Sequence, residues 1–255
     1  MYVLITGATS GIGYALAEEF AKRGHNLVLV GRNKQKLKVV QQQIESIIQS
    51  HKQKSKVIGI EQDLGVEDAA RCIYNTVKDL GIEVEVLINN AGMGYAGEFE
   101  MAEDAQITSL ISVNMTQLTL LTKYFVKDMK QRRKGKILNV ASTGAYCPGA
   151  YVAAYYATKA YVLSLSEALY EELKSYGILV SSLCPGATLT NFQKASGRAD
   201  TKLAMAPDFV AKKAYKGLQK NKKIIVPGIR NKLMIRLPKR IAIKVIKRYQ
   251  KSTLI

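Results

Sequence analysis

A chain of 255 residues with 47% apolar content can bury one large core, and no linker-like or low-complexity run divides it. Its three cysteines, Cys72, Cys147 and Cys184, are odd in number and unpatterned, which argues against a disulfide framework or a zinc cluster and fits a reducing cytosol. The formal net charge of +18 is unevenly spread: fifteen of the 38 Lys and Arg follow Asp208, where no acidic residue occurs.

The first apolar run, YVLIT at 2–6, leads into Gly7, Gly11 and Gly13 and then an amphipathic helix near 11–23. Glycines at such a corner allow a tight turn and a close backbone approach to a ligand. The helix start aims free N–H groups and its positive dipole end at the same place, which suits a phosphate. Thr9, Ser10 and Ile12 complete that loop. A second strand, NLVLV at 26–30, precedes a helix at 33–50. An acid at the end of this strand would bond the ribose 2′-hydroxyl of NAD, but here Gly31 and then Arg32 occupy the corner. A guanidinium suits a 2′-phosphate, so NADP is the expected cofactor, with Asn33 and Lys36 near enough to assist.

KVIGI at 56–60 and a helix at 66–80 follow, then VEVLIN at 84–89 and a long helical stretch over 103–133. KILNVAS at 136–142 ends on Ser142, and a helix over 152–176 carries Tyr155 and Lys159 one turn apart on one face. ILVSSLC at 178–184, a helix at 207–220 and IIVP at 224–227 complete the series. Seven short apolar strands separated by helices predict a single-domain α/β fold, a Rossmann-type doubly wound parallel sheet that binds ligands at the carboxyl ends of its strands.

Glycine loop, Ser142 and Tyr155-x-x-x-Lys159, in that order, resemble the short-chain dehydrogenase/reductase family over residues 1–228. The resemblance implies hydride transfer between a carbonyl and an alcohol, with Tyr155 as acid/base, Lys159 lowering its pKa and holding the nicotinamide ribose, and Ser142 donating to the substrate oxygen. Asn114, in ISVNMTQL, matches the family's fourth member, which holds a water in a proton relay. By the same resemblance Asp63 and Leu64 flank the adenine, Asn90, Ala91 and Gly92 approach the cofactor, and Pro185, Gly186, Thr188 and Thr190 cradle the nicotinamide. Asn89 reads equally well as structural. The chain departs from many NADP-using relatives at Ser10, where they carry a basic residue. A loop over 190–207 is the expected substrate lid, and Gly94, Tyr146, Pro148, Tyr151 and Phe192 are expected to form a moderately apolar pocket for a ketone, an aldehyde or a 3-oxoacyl group. Family members are usually dimers or tetramers. His25 and His51 read as surface residues, and no metal site is expected.

Residues 229–255 form a basic extension in which Ile229, Leu233, Leu237, Ile241, Val245 and Tyr249 recur every four residues, an amphipathic helix that Pro238 can interrupt. Three readings stay open for it: packing on its own domain or a sister subunit, lying on an anionic membrane surface, or, least favoured because no binding fold or aromatic platform accompanies the charge, nucleic-acid binding. No run approaches the about eighteen apolar residues of a membrane span, and no cleavable leader opens the sequence, so a cytoplasmic protein is expected, with contact at a membrane surface left open. The rival to an enzyme is a protein that binds the cofactor without turnover or acts at a surface through this tail.

Overall fold

In the computed structural model, which describes residues 2–199 and 204–254, seven strands form one parallel sheet. They are β1 (Tyr2–Thr6), β2 (Asn26–Gly31), β3 (Val57–Glu61), β4 (Val84–Asn89), β5 (Gly135–Val140), β6 (Ile178–Leu183) and β7 (Ile224–Ile225). The spatial order is β3-β2-β1-β4-β5-β6-β7, so the chain reverses its direction of travel across the sheet between β1 and β4. That switch point opens a crevice at the carboxyl ends of the two strands.

The crossovers are α1 (Gly11–Ala21), α2 (Lys34–Ser50), α3 (Ala69–Asp79), α4 (Asp104–Ile111), α5 (Leu118–Arg132), α6 (Ala153–Leu173), the short α7 (Phe192–Ala195) and α8 (Pro207–Gln219). Alternation along each strand divides its side chains between two helical layers. Val3, Ile5, Leu27 and Leu29 pack with α1, α2 and α8, whereas Leu4, Val28 and Val30 pack with α3 and α5. This two-sided burial is why the strands read as unbroken apolar runs.

Three departures from the sequence reading matter for the site. The stretch expected as one helix over 103–133 is α4 and α5 joined by a π-helical segment, Ser112–Gln117, which carries Asn114. β7 shrinks to two residues at the sheet edge, with a single neighbour, β6. The third lies in the packing of the basic extension, which breaks at Pro238, where an interruption was allowed, into α9 (Ile229–Met234) and α10 (Lys239–Thr253). Its packed face is Ala242, Ile246 and Gln250, not the four-residue stripe, of which Tyr249 alone is half-buried and Ile229, Leu233, Leu237, Ile241 and Val245 lie exposed. Ala242, Ile246 and Gln250 share that spacing but lie about 100° further round α10 than Ile241, Val245 and Tyr249, so only one of the two stripes faces the domain. Part of the expected lid, residues 200–203, lies outside the described residues.

Candidate active site

The glycine corner between β1 and α1 is built for close approach. Gly7 and Gly11 hold left-handed φ of +64° and +56°. A Cβ on Gly13 would collide with the Gly7 carbonyl and with Asn90 Nδ2 at 2.5 Å, and one on Gly11 would meet Thr190 Cγ2 at 2.8 Å. Ser10, the residue preceding α1, is extended and makes no side-chain cap, so its hydroxyl leaves the first N–H groups of the helix to a ligand. Thr9 packs over Gly31: any Cβ there would lie 2.6 Å from Thr9 Cγ2. The acid that reads a ribose hydroxyl therefore has no room at position 31 without a shift of Thr9. Arg32 beside it is exposed, while Asn33 caps α2 by accepting from the Lys36 N–H at 2.9 Å. Ile12 is half-buried against the α1, α2 and α8 core.

The ends of β3 and β4 face the same crevice. Asp63 Oδ1 accepts from Gly65 N at 2.8 Å, which fixes the loop, and Leu64 is buried. Asn90 ties the crevice shut from below: its Nδ2 donates to the carbonyls of Thr6 (2.9 Å) and Gly7 (3.2 Å), and Thr6 Oγ1 accepts from the N–H groups of Asn90 and Ala91. Asn89 is buried and structural in its contacts, donating to Thr122 Oγ1 and Asn139 Oδ1, both at 2.9 Å. A Cβ on Gly92 would stand 3.3 Å from Asn114 Oδ1 and 3.5 Å from Lys159 Nζ, which brings three of the expected site residues to one point.

From the other side come β5, α6 and the loop after β6. Ser142 Oγ accepts from Gly144 N at 3.0 Å and donates to the Pro185 carbonyl at 3.5 Å. Lys159 is buried, with Nζ donating to the Val140 carbonyl at 2.7 Å and standing 5.8 Å from the Tyr155 ring centre. Burial lowers its pKa to about 8. Asn114 is fully buried: its Oδ1 accepts from Met93 N at 2.8 Å, and its Nδ2 donates to Met93 O and to Thr158 Oγ1. The π segment shifts the helical register at this residue, a feature common at functional sites. In the loop after β6, expected to cradle the nicotinamide, Thr188 Oγ1 donates to the Gly186 carbonyl and Thr190 Oγ1 accepts from Phe192 N.

The electrostatics differ from the sequence expectation. Burial pushes the Tyr155 phenol above its ordinary value, and this outweighs the opposing pull of Arg198 and of the Ser142 hydroxyl. Two cations thus stand near the phenol, the expected Lys159 with Nζ 5.8 Å from the ring centre and an unexpected Arg198. Arg198 is buried, bonds Ser196 Oγ through Nε at 3.2 Å, and places its guanidinium 5.9 Å from the Tyr155 ring centre. Sequence reading missed it, since an Arg in a polar loop carries no motif. Phe192 packs on Tyr155 with ring centres 5.4 Å apart, and a Cβ on Gly94 would meet Phe192 Cζ at 2.8 Å. Tyr151 holds φ +65°, its carbonyl accepting from Gly97 N. Tyr146 instead lines a cleft against the tail, reaching Cys184 Sγ at 3.9 Å, and Pro148 is exposed. Among the described residues no group of His, Cys, Asp or Glu is arranged to hold a metal ion.

A doubly wound parallel sheet with a glycine corner at its switch point and, across the crevice, buried Asn114, Tyr155 and Lys159 beside half-buried Ser142 is the frame of a nicotinamide-dependent oxidoreductase. The short-chain dehydrogenase model matches residues 1–201, and the chain belongs to that family. The human very-long-chain 3-oxoacyl-CoA reductase is 32% identical over 261 residues, covering 99% of this chain and 80% of that protein. A short-chain dehydrogenase from Sphingobium yanoikuyae, solved in complex with NADPH, superposes with a TM-score of 0.83 at 31% identity, over 93% of this chain and 96% of its own. The bulky-bulky ketone specific alcohol dehydrogenase from Comamonas testosteroni gives 0.79 at 31% identity, over 93% and 95%.

Proposed function

We propose that this protein reduces a carbonyl group on a moderately apolar substrate to the alcohol, with NADPH as the hydride donor and Tyr155 as the proton donor. The observation that carries the reading is the convergence of Asn114 Oδ1 and Lys159 Nζ on Gly92, with Nζ 5.8 Å from the centre of the buried Tyr155 ring and Ser142 just past the carboxyl end of β5. The corner where a Cβ on Gly13 would strike Gly7 and Asn90 leaves room for backbone-bound phosphate, and the uncapped start of α1 supplies its donors. A nicotinamide dinucleotide held there supplies the hydride.

Ser142 donates to the substrate oxygen, which accumulates negative charge as the carbonyl is reduced, and Tyr155 gives that oxygen its proton. A phenol held above its ordinary pKa by burial remains protonated at neutral pH, the form that reduction requires. Lys159 holds a cation beside it, and Asn114 locks the Met93 backbone and the Thr158 hydroxyl that border Lys159. For NADPH over NADH the support is the room denied to an acid at Gly31 and the exposed Arg32 that follows. Similarity to the human 3-oxoacyl-CoA reductase and to the bulky-ketone dehydrogenase supports a long-chain 3-oxoacyl group or a bulky ketone within that class.

The test is NADPH oxidation against ketones, aldehydes and 3-oxoacyl thioesters, with Tyr155→Phe assayed alongside. Turnover that disappears in the variant supports the reading. Tight NADPH binding without turnover on any substrate of the panel would sink it.

A further inference from the structure

The tail carries a surface that the reaction does not use. Ala242, Ile246 and Gln250 fasten α10 to the domain, where Ile246 and Ala242 pack with Cys147 and Tyr156 and Gln250 Nε2 donates to Tyr156 Oη at 3.0 Å. At the chain end, Ala199 N donates to the Thr253 carbonyl at 2.8 Å. The helix is therefore held in one orientation, and what it shows to solvent is fixed. It shows Ile241 and Val245, and the preceding α9 and its connection leave Ile229 (76% exposed), Leu233 (60%) and Leu237 in solvent. By helical geometry Ile241 and Val245 lie together on one flank of the packed stripe, and Lys244 and Arg248 continue that flank outward. Every one of the nine Lys and Arg after Gly228 is exposed, no acidic residue is interleaved with them, and none makes an ion pair among the described residues.

Charge decides between the occupants of such a face. A second copy meeting it about a two-fold axis would set two wholly cationic surrounds against each other. A nucleic acid would satisfy the charge and leave the aliphatic stripe in water. An anionic bilayer surface satisfies both, taking the side chains into the headgroup boundary and the cations at the phosphates. We infer that α9 and α10 form a peripheral docking surface for membranes carrying anionic lipid. No helix of the described chain is long and apolar enough to cross a membrane, so the contact is one of lying on the surface.

The full chain is to be sedimented with phosphatidylcholine vesicles and with vesicles containing phosphatidylserine, at low and at 0.5 M salt. Binding to the anionic vesicles is expected to exceed binding to the neutral ones by about tenfold or more, and to fall with salt. Two double variants on exposed positions, Ile241→Ser with Val245→Ser and Lys244→Glu with Arg248→Glu, are each expected to weaken it by about tenfold. Unchanged thermal melting of both variants shows that the packed stripe has held. Absence of anionic-vesicle binding by the parent would overturn the inference, as would binding by either variant equal to the parent's. Oligonucleotide binding that survives the serine variant, in place of vesicle binding, would assign the charge to nucleic acid. A dimer dissolved by the same substitutions, again without vesicle binding, would assign the face to self-association.

Discussion

Lys159 is the residue whose removal should most clearly separate stability from chemistry. Its ammonium is buried, its one close partner is the Val140 carbonyl, and burial brings its pKa to about 8 from an ordinary 10.5. Below pH 8 the group is charged in both the folded and the unfolded chain, and the folded state bears the full cost of desolvating it. The gap between the two pKa values corresponds to about 3 kcal/mol. Lys159→Met removes that cost, loses a hydrogen bond worth about 1 kcal/mol, and should leave the variant about 2 kcal/mol more stable at pH 7. The sign reverses with pH. Because the folded pKa is depressed, protonation disfavours folding, so the parent gains stability between pH 8 and 10.5 as both states become neutral. At pH 10.5 the variant should be level with the parent or about 1 kcal/mol less stable, having lost only the hydrogen bond. Urea denaturation of both proteins at pH 7, 8.5 and 10, without added nucleotide, measures this. Taking the difference between them cancels other groups that titrate in the same window. A stability difference that stays constant with pH would refute the argument, because burial of a titrating ammonium is its only source. The same substitution should abolish reductase turnover, a trade of stability for function at a strained site.

Replacing Arg32 with Asp should weaken NADPH binding by about tenfold or more and shift preference toward NADH, measured as the ratio of dissociation constants. An unchanged ratio would mean that the corner after β2 does not read the ribose. Arg198→Met removes the cation that lowers the Tyr155 pKa, so the rising limb of the alcohol-oxidation profile should move to higher pH, with Arg198→Lys restoring part of the shift. A profile in Arg198→Met that coincides with the parent's would show that the guanidinium does not act on the phenol. Gly13→Ala forces a methyl into the Gly7 carbonyl and should cost at least about 1 kcal/mol in folding while abolishing nucleotide binding in fluorescence titration. Retained binding would show that the corner yields.

The sheet was legible because its inner strands are buried on both faces, and two-sided burial writes itself into a sequence as a short run such as NLVLV. The glycine corner and the Tyr155–Lys159 spacing were legible for a similar reason: backbone approach and one-turn separation are local constraints, expressed in neighbouring residues. Long-range juxtaposition was not. Nothing near position 198 announces that its guanidinium will be folded against Tyr155, because the fold of the substrate loop, and not a local pattern, brings them together. The π segment at Asn114 is hidden in the same way, since ISVNMTQL reads as continuous helix while the partners of its amide, Met93 and Thr158, lie 21 and 44 residues away in the chain.

The tail inverts the usual relation between pattern and packing. Its strongest periodicity, aliphatic residues every fourth position, belongs to the face left in solvent, while the residues that attach α10 to the domain, Ala242, Ile246 and Gln250, include one small and one polar side chain. An apolar stripe in a sequence records that those side chains leave water, not what they leave it for. Where the structure has already filled a helix's packed side with other residues, the remaining stripe is left available to an external partner. In this chain every charged side chain from Ile229 to Leu254 is a cation, which is why the inferred partner is an anionic surface.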